Sequence, residues 1–338
     1  MAQLPAPFPN AKHSWTTRVI LPGAAALLLL SGALNLRPLA GTLLAGEQAA
    51  PAPTTLNDAG TPLDRSIAAL QDALRSGDAL TQSRNAAQLG HAYLQKARET
   101  GDSSYYPKAE ALFRQALASD EANVDALVGM GTLALSRHEF RDARQWGERA
   151  VKAAPQHAPA YGVVVDADVE IGEYGAAEQT LQQMVDLRPD LGSYSRISYL
   201  RELMGDRAGA ISAMQRAVTA GSGYPENVAW AQVQLGNLTF DGGDLTGATE
   251  AYDAAIAAVP GYAPALAGKA KVLAARGQLA AAGDLYTQVV SILPLPEYLA
   301  AYGDVLAARG DTSGAAAQFA TVAAIQQLQA ANGVNTDL

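Results

Sequence analysis

The chain has 338 residues, 49% of them hydrophobic, 17% charged and 6% aromatic, enough for two ordinary domains or one elongated array. Lys plus Arg number 24 against 33 for Asp plus Glu, a formal net charge of -9, which repels a phosphate backbone and argues against a nucleic-acid partner. The absence of cysteine excludes disulfides, thiolate zinc sites, a cysteine nucleophile and lipid attachment through an N-terminal cysteine.

Few aromatics beside many small residues favour helices packed closely through Ala and Gly. The chain opens on a basic flank, residues 1–18 with Lys12 and Arg18, expected to stay in the cytoplasm. An apolar run over residues 19–36 comes next, centred on Ala24 to Leu30 and closed by Arg37. A positive flank before an uncharged stretch predicts that residues 19–44 are a transmembrane anchor or a signal segment. The run is close to the about 17–20 residues that span hydrocarbon, although Pro22 and Gly23 weaken its first turn. The small residues Ser31, Gly32 and Ala33 suit cleavage of a signal peptide, and a buried hydrophobic helix is the bland alternative. The anchor is the preferred reading. It puts everything after Leu44 outside the cytoplasm, in the periplasm or cell envelope, whereas cleavage would make the protein secreted. Residues 45–62, rich in Ala, Pro and Thr, lack an apolar face and read as an extended linker.

Residues 63–74 show apolar spacing consistent with a leading helix that covers the open end of a repeat array. Beyond it one phrase recurs, a turn with a small residue five positions on: Gly172 with Ala177, Gly205 with Ala210, Gly243 with Ala248, Gly277 with Ala282 and Gly310 with Ala315. The turn glycines lie 33, 38, 34 and 33 residues apart, the period of a helical repeat array. His138 to Ala143 is the same phrase without its Gly, and Ala109 carries the small residue one unit earlier. Each turn Gly is expected at positive φ, ending a first helix. Pro155, Pro189, Pro260 and Pro294 fall where a missing N–H stops a second helix.

Over roughly residues 83–329 the sequence resembles the tetratricopeptide repeat, most clearly at Leu235, Gly236, Gly243, Ala248, Tyr252, Ala255 and Pro260. The resemblance implies an all-α fold, a right-handed α-solenoid of stacked antiparallel helix pairs over residues 63–338, preceded here by the N-terminal hydrophobic helix. Seven units are phased: 83–123, 124–157, 158–190, 191–228, 229–262, 263–295 and 296–329. Ala or Gly at each crossing lets the helices approach while Tyr252, Tyr286 or Phe319 fills the adjoining gap. The first unit holds extra residues between Tyr93 and Ala109, predicting a lengthened helix and turn. The unit around Ser198 lacks the usual Gly, and residues 221–225 insert a loop after it. The array halts at Asn332 and Gly333, and Thr336 and Asp337 look like the cap of a further helix.

Little in the chain points to chemistry. Gly129, Met130 and Gly131 fit a loose dinucleotide fingerprint, but no strand precedes them and the repeat phase already explains them. His13, His91, His138 and His157 stand singly, giving neither a metal helix nor a triad and pointing to solvated or turn positions. Asp166, Asp168 and Glu170 at helical spacing read as a solvated face. No catalytic residue, cofactor or metal is expected.

In the resembled family the first helix of each pair lines a concave groove. Counting from the matched Gly positions, that surface here comprises Arg84, His91, Asp125, Asp166, Tyr199, Glu202, Trp230, Asn237, Phe240 and Lys271. Tyr199, Trp230 and Phe240 are candidate anchors for a peptide in a mildly acidic groove; the competing reading puts Trp230 and Phe240 in the core. Lys271 stands nearly alone, so the basic clamp by which relatives hold a terminal carboxylate is absent. The sequence thus predicts a non-catalytic, membrane-tethered scaffold for a protein or peptide partner, with an accessory subunit of an envelope enzyme or secretion complex as the alternative.

Overall fold

A computed structural model describes residues 61–75 and 78–335. The basic flank, the apolar segment 19–44, most of the linker 45–62 and the Thr336–Asp337 pair lie outside the described residues. Among the described residues there are fifteen α-helices and no strand, and none of those helices is long and apolar enough to cross a membrane. α1 (Pro62–Arg75) precedes seven antiparallel pairs: α2 (Ala79–Thr100) with α3 (Tyr105–Ser119), α4 (Val124–Ser136) with α5 (Phe140–Ala153), α6 (Ala158–Glu170) with α7 (Tyr174–Leu187), α8 (Leu191–Leu203) with α9 (Arg207–Ala220), α10 (Pro225–Asp241) with α11 (Leu245–Ala258), α12 (Ala263–Ala275) with α13 (Leu279–Ile292), and α14 (Pro296–Ala308) with α15 (Thr312–Ala331).

Local chemistry sets the turns. Gly172, Gly205, Gly243, Gly277 and Gly310 all have φ between 75° and 86°, the left-handed conformation that ends a helix and that glycine adopts without a Cβ penalty. The aspartate that follows three of them caps the next helix: Asp206, Asp244 and Asp311 accept from the amides of Gly209, Gly247 and Gly314 at 2.8–2.9 Å, satisfying an otherwise orphaned donor. His138 holds the equivalent turn in the second repeat with φ 61°. As the extra residues predict, α2 is long; it starts at Ala79, ahead of residue 83, behind an Asp78 cap and runs to Gly101 at φ 70°.

Packing comes from side chains that glycines leave out. The Phe113 ring of α3 lies between Gly90 of its own pair and Gly129 of the next, where an added Cβ would come within 2.5 and 2.3 Å of it. Tyr252 of α11 repeats the arrangement between Gly236 and Gly268, at 2.5 and 2.3 Å. Both aromatic residues are fully buried. Where the glycine is missing, at Ser198, the hydroxyl donates to the carbonyl of Ala210 at 2.8 Å, so the added polar atom is satisfied. The core is a row of such clusters, each shared by successive pairs. α1 packs Ile67, Leu70 and Leu74 onto the first cluster and Asp64 meets Lys96 at 2.6 Å, which covers the leading end as expected. At the other end only Ala315 of α15 is buried.

Gly268→Ala should therefore cost about 1–3 kcal/mol through overpacking, outweighing the about 1 kcal/mol that Ala gains in helix propensity. Gly175→Ala, in a helix with nothing within 4 Å of the added methyl, should instead gain about 0.5–1 kcal/mol. Urea unfolding of both variants checks the account, which fails if Gly268→Ala is as stable as its parent.

Candidate functional site

Successive first helices pack side by side: α2 with α4, α4 with α6, α6 with α8, α10 with α12 and α12 with α14. No two second helices approach one another in this way among the described residues. The row with the closer spacing lies on the inner side of the bend, so the first helices form the inner surface.

The residues picked from the sequence fall along this row with unequal exposure. Arg84 and Asp125 are exposed. His91 is half-buried, meets the Asp125 carbonyl at 2.8 Å and stands edge-on to Phe113 at 5.1 Å; burial pushes its pKa down. It is thus a packing residue between two repeats, not the solvated histidine expected. Asn237 accepts from the Tyr252 hydroxyl at 2.7 Å, joining the inner row to the second helix. Phe240 is half-buried with the Lys271 ammonium 4.1 Å from its ring centre, and Lys271 also reaches Asp241 at 3.4 Å. Trp230 is 4% exposed and packs with Leu191, Ala210, Met214 and Ala217. It belongs to the core reading, while Phe240 keeps part of its ring at the surface.

The centre of the row differs most from expectation. Asp166 and Asp168 are not on a solvated face: they are 3% and 1% exposed. α6 sits mid-array with α4, α5, α7 and α8 around it, so nearly its whole circumference is covered. Asp166 is held by Arg196 of α8 through two charge-assisted bonds, Nε to Oδ1 at 2.7 Å and Nη2 to Oδ2 at 2.6 Å. Gly162 makes room for that guanidinium, since a Cβ there would lie 2.9 Å from Cζ. Asp168 faces Arg144 at 3.2 Å. Burial raises the Asp166 pKa and Arg196 opposes the rise. The sequence reading missed Arg196; its signal is a lone cation among the serines and apolar residues of residues 191–200, set 30 residues beyond Asp166.

One turn along α6, Glu170 has an Oε1 buried without a hydrogen-bond partner. Burial and then the Asp166 charge push its pKa up to about 7. Burial and then the charges of Glu170 and Glu202 raise the Tyr199 phenol, and Glu202 itself is raised by burial and by Asp241. Tyr199, Glu170, Glu202 and Asp241 thus form one electrostatically linked patch, half-buried to exposed, with Lys271 on Asp241 and Arg207 acting on Glu202. Gly129 and Gly131, the residues of the loose fingerprint, face Phe113 and Val163 within a helix. No group of three or more metal-ligating side chains is gathered among the described residues.

Two stretches of the chain, residues 104–162 and 233–295, match family models described as tetratricopeptide repeat. Those two stretches are similar to tetratricopeptide repeats. No curated protein matches the sequence significantly. Among solved structures the fold is shared with yeast Tom70 (TM-score 0.56, 13% identity, 92% of this chain and 69% of that one). It is shared also with Cut9–Hcn1 of the APC/C (0.54, 14%, 80% and 54%) and with a tetratricopeptide repeat protein from Parabacteroides merdae (0.51, 15%, 72% and 99%). Tetratricopeptide arrays generally serve as protein-interaction scaffolds.

Two outcomes test the site's electrostatics. Arg196→Met, which strands Asp166 in the core, should cost about 3–5 kcal/mol in chemical unfolding, and a loss under about 1 kcal/mol would refute the buried pair. Glu170 has a folded pKa above its unfolded value, so its stabilising contribution is complete at acid pH and is lost as pH rises through about 7. Glu170→Gln should therefore raise Tm at pH 8 and change it little at pH 5, a difference of up to about 2 kcal/mol after discounting for partial exposure. Equal effects at the two pH values would contradict the assignment.

Proposed function

We propose that the protein is a non-catalytic scaffold, tethered to a membrane through residues 19–44, that holds a peptide or protein partner against its inner row of first helices. The observation that carries this reading is the central patch. Tyr199 and Phe240 keep part of their rings at the surface, while Glu170 and Glu202 give Tyr199 a negative surrounding. Partly exposed aromatics gain contact area at low entropy cost, and the field favours a segment that is neutral or basic beside its apolar anchors. Arg84, His91, Asp125 and Asn237 would border it, and Lys271 is engaged with Phe240 and Asp241. The tether reading rests on the basic flank and the apolar run, and it puts the array in the periplasm or cell envelope. An accessory role beside an envelope enzyme or secretion complex uses the same surface and differs only in what the partner does.

A photoreactive residue at position 199 or 240 of the full chain, irradiated in intact cells, should give one discrete protein adduct. The same residue at exposed Arg216 of α9 should give none. Adducts of equal yield at all three positions would dismiss the inner surface as the binding face. The full chain should also stay with membranes through alkaline carbonate and lose that behaviour when residues 19–36 are deleted.

A further inference from the structure

The last residues described touch the first two repeats. Asn332 donates from Nδ2 to the Ser103 hydroxyl at 3.1 Å, across 229 positions of sequence. The Asn335 amide donates to the Arg137 carbonyl at 3.0 Å, and the His138 Nδ1–H donates to the Asn335 carbonyl at 2.8 Å. Gly333, at φ 82°, lies over the Arg137 guanidinium, which a Cβ would meet at 3.4 Å. A second contact lies close by. Leu295, before α14, covers Gly101 at the end of the long α2, where a Cβ would meet Leu295 Cδ2 at 2.8 Å. Arg98 in the last turn of α2 lies within electrostatic reach of Glu226 at the start of α10. The receiving residues Ser103 and Arg137 are both buried.

We propose that residues 332–335 are a clasp that docks on the turns at Ser103 and at Arg137–His138 and closes the array into a ring. His138 is its receptor. Every other turn between first and second helix at this place has either glycine at positive φ or, in the first repeat, the separate Gly101 turn. A histidine tolerates the left-handed conformation at a cost that glycine would avoid. What the imidazole adds in exchange is the bond to Asn335. The two bonds to Asn335 form a short main-chain pairing extended by one side chain, and Asn332 fixes its register. The clasp does not rest on the scaffold reading.

Because the chain has no cysteine, two introduced thiols report closure without background. Glu139→Cys lies beside the receiving turn and Val334→Cys within the clasp, and neither side chain makes one of its bonds. The full chain with both should give a rapid intramolecular product with a short bis-maleimide. Adding His138→Gly and Asn332→Ala should lower its rate at least fivefold while circular dichroism keeps the helix signal. His138→Gly alone should hold or raise Tm, since glycine suits the turn, so any loss of crosslinking in it is loss of the clasp and not of the fold. A rate unchanged by the two substitutions, no intramolecular product, or a product that is only dimeric, meaning that the tail belongs to a second copy, overturns the proposal. Each of these is read without a partner and leaves the photocrosslinking result standing on its own.

Discussion

At two places an aromatic ring enters the row of first helices where two of those helices have given up their side chains. Phe113 between Gly90 and Gly129, and Tyr252 between Gly236 and Gly268, do what a hydrophobic face alone cannot. They fix how far each pair is rotated against the next, because a planar ring in a slot of glycine backbones has one depth and one tilt. Curvature arises from these rotations, and the inner surface from curvature. At other junctions the same task falls to smaller contacts: Gly131 against Val163 and Gly162 against Arg196.

The fold was legible because its instructions are local. A glycine that must sit at positive φ, an aspartate that caps the next helix and a small residue at each crossing all lie within a few positions of one another and repeat. The lengthened α2 and the inserted loop before α10 showed as departures from the period for the same reason.

The site was legible only in part. Which residues lie on first helices could be counted, but their exposure depends on neighbours about thirty residues away. Asp166 and Asp168 read as surface carboxylates until α8 brings Arg196 and α5 brings Arg144 against them. Trp230 could be surface or core, and the cluster with Leu191 and Met214, across the inserted loop, decides for core. Contact between the two ends is less legible still, since it is the sum of every rotation along the array and no pair of short motifs encodes it.

The inserted loop, residues 221–224, interrupts the row of first helices. Among the described residues, α8 and α10 are the successive first helices that approach each other least, and they are joined through Leu191, Trp230 and the loop itself. At this one junction the loop thus replaces contact between first helices with side-chain packing, and the inner row is most loosely spaced between the fourth and fifth pairs.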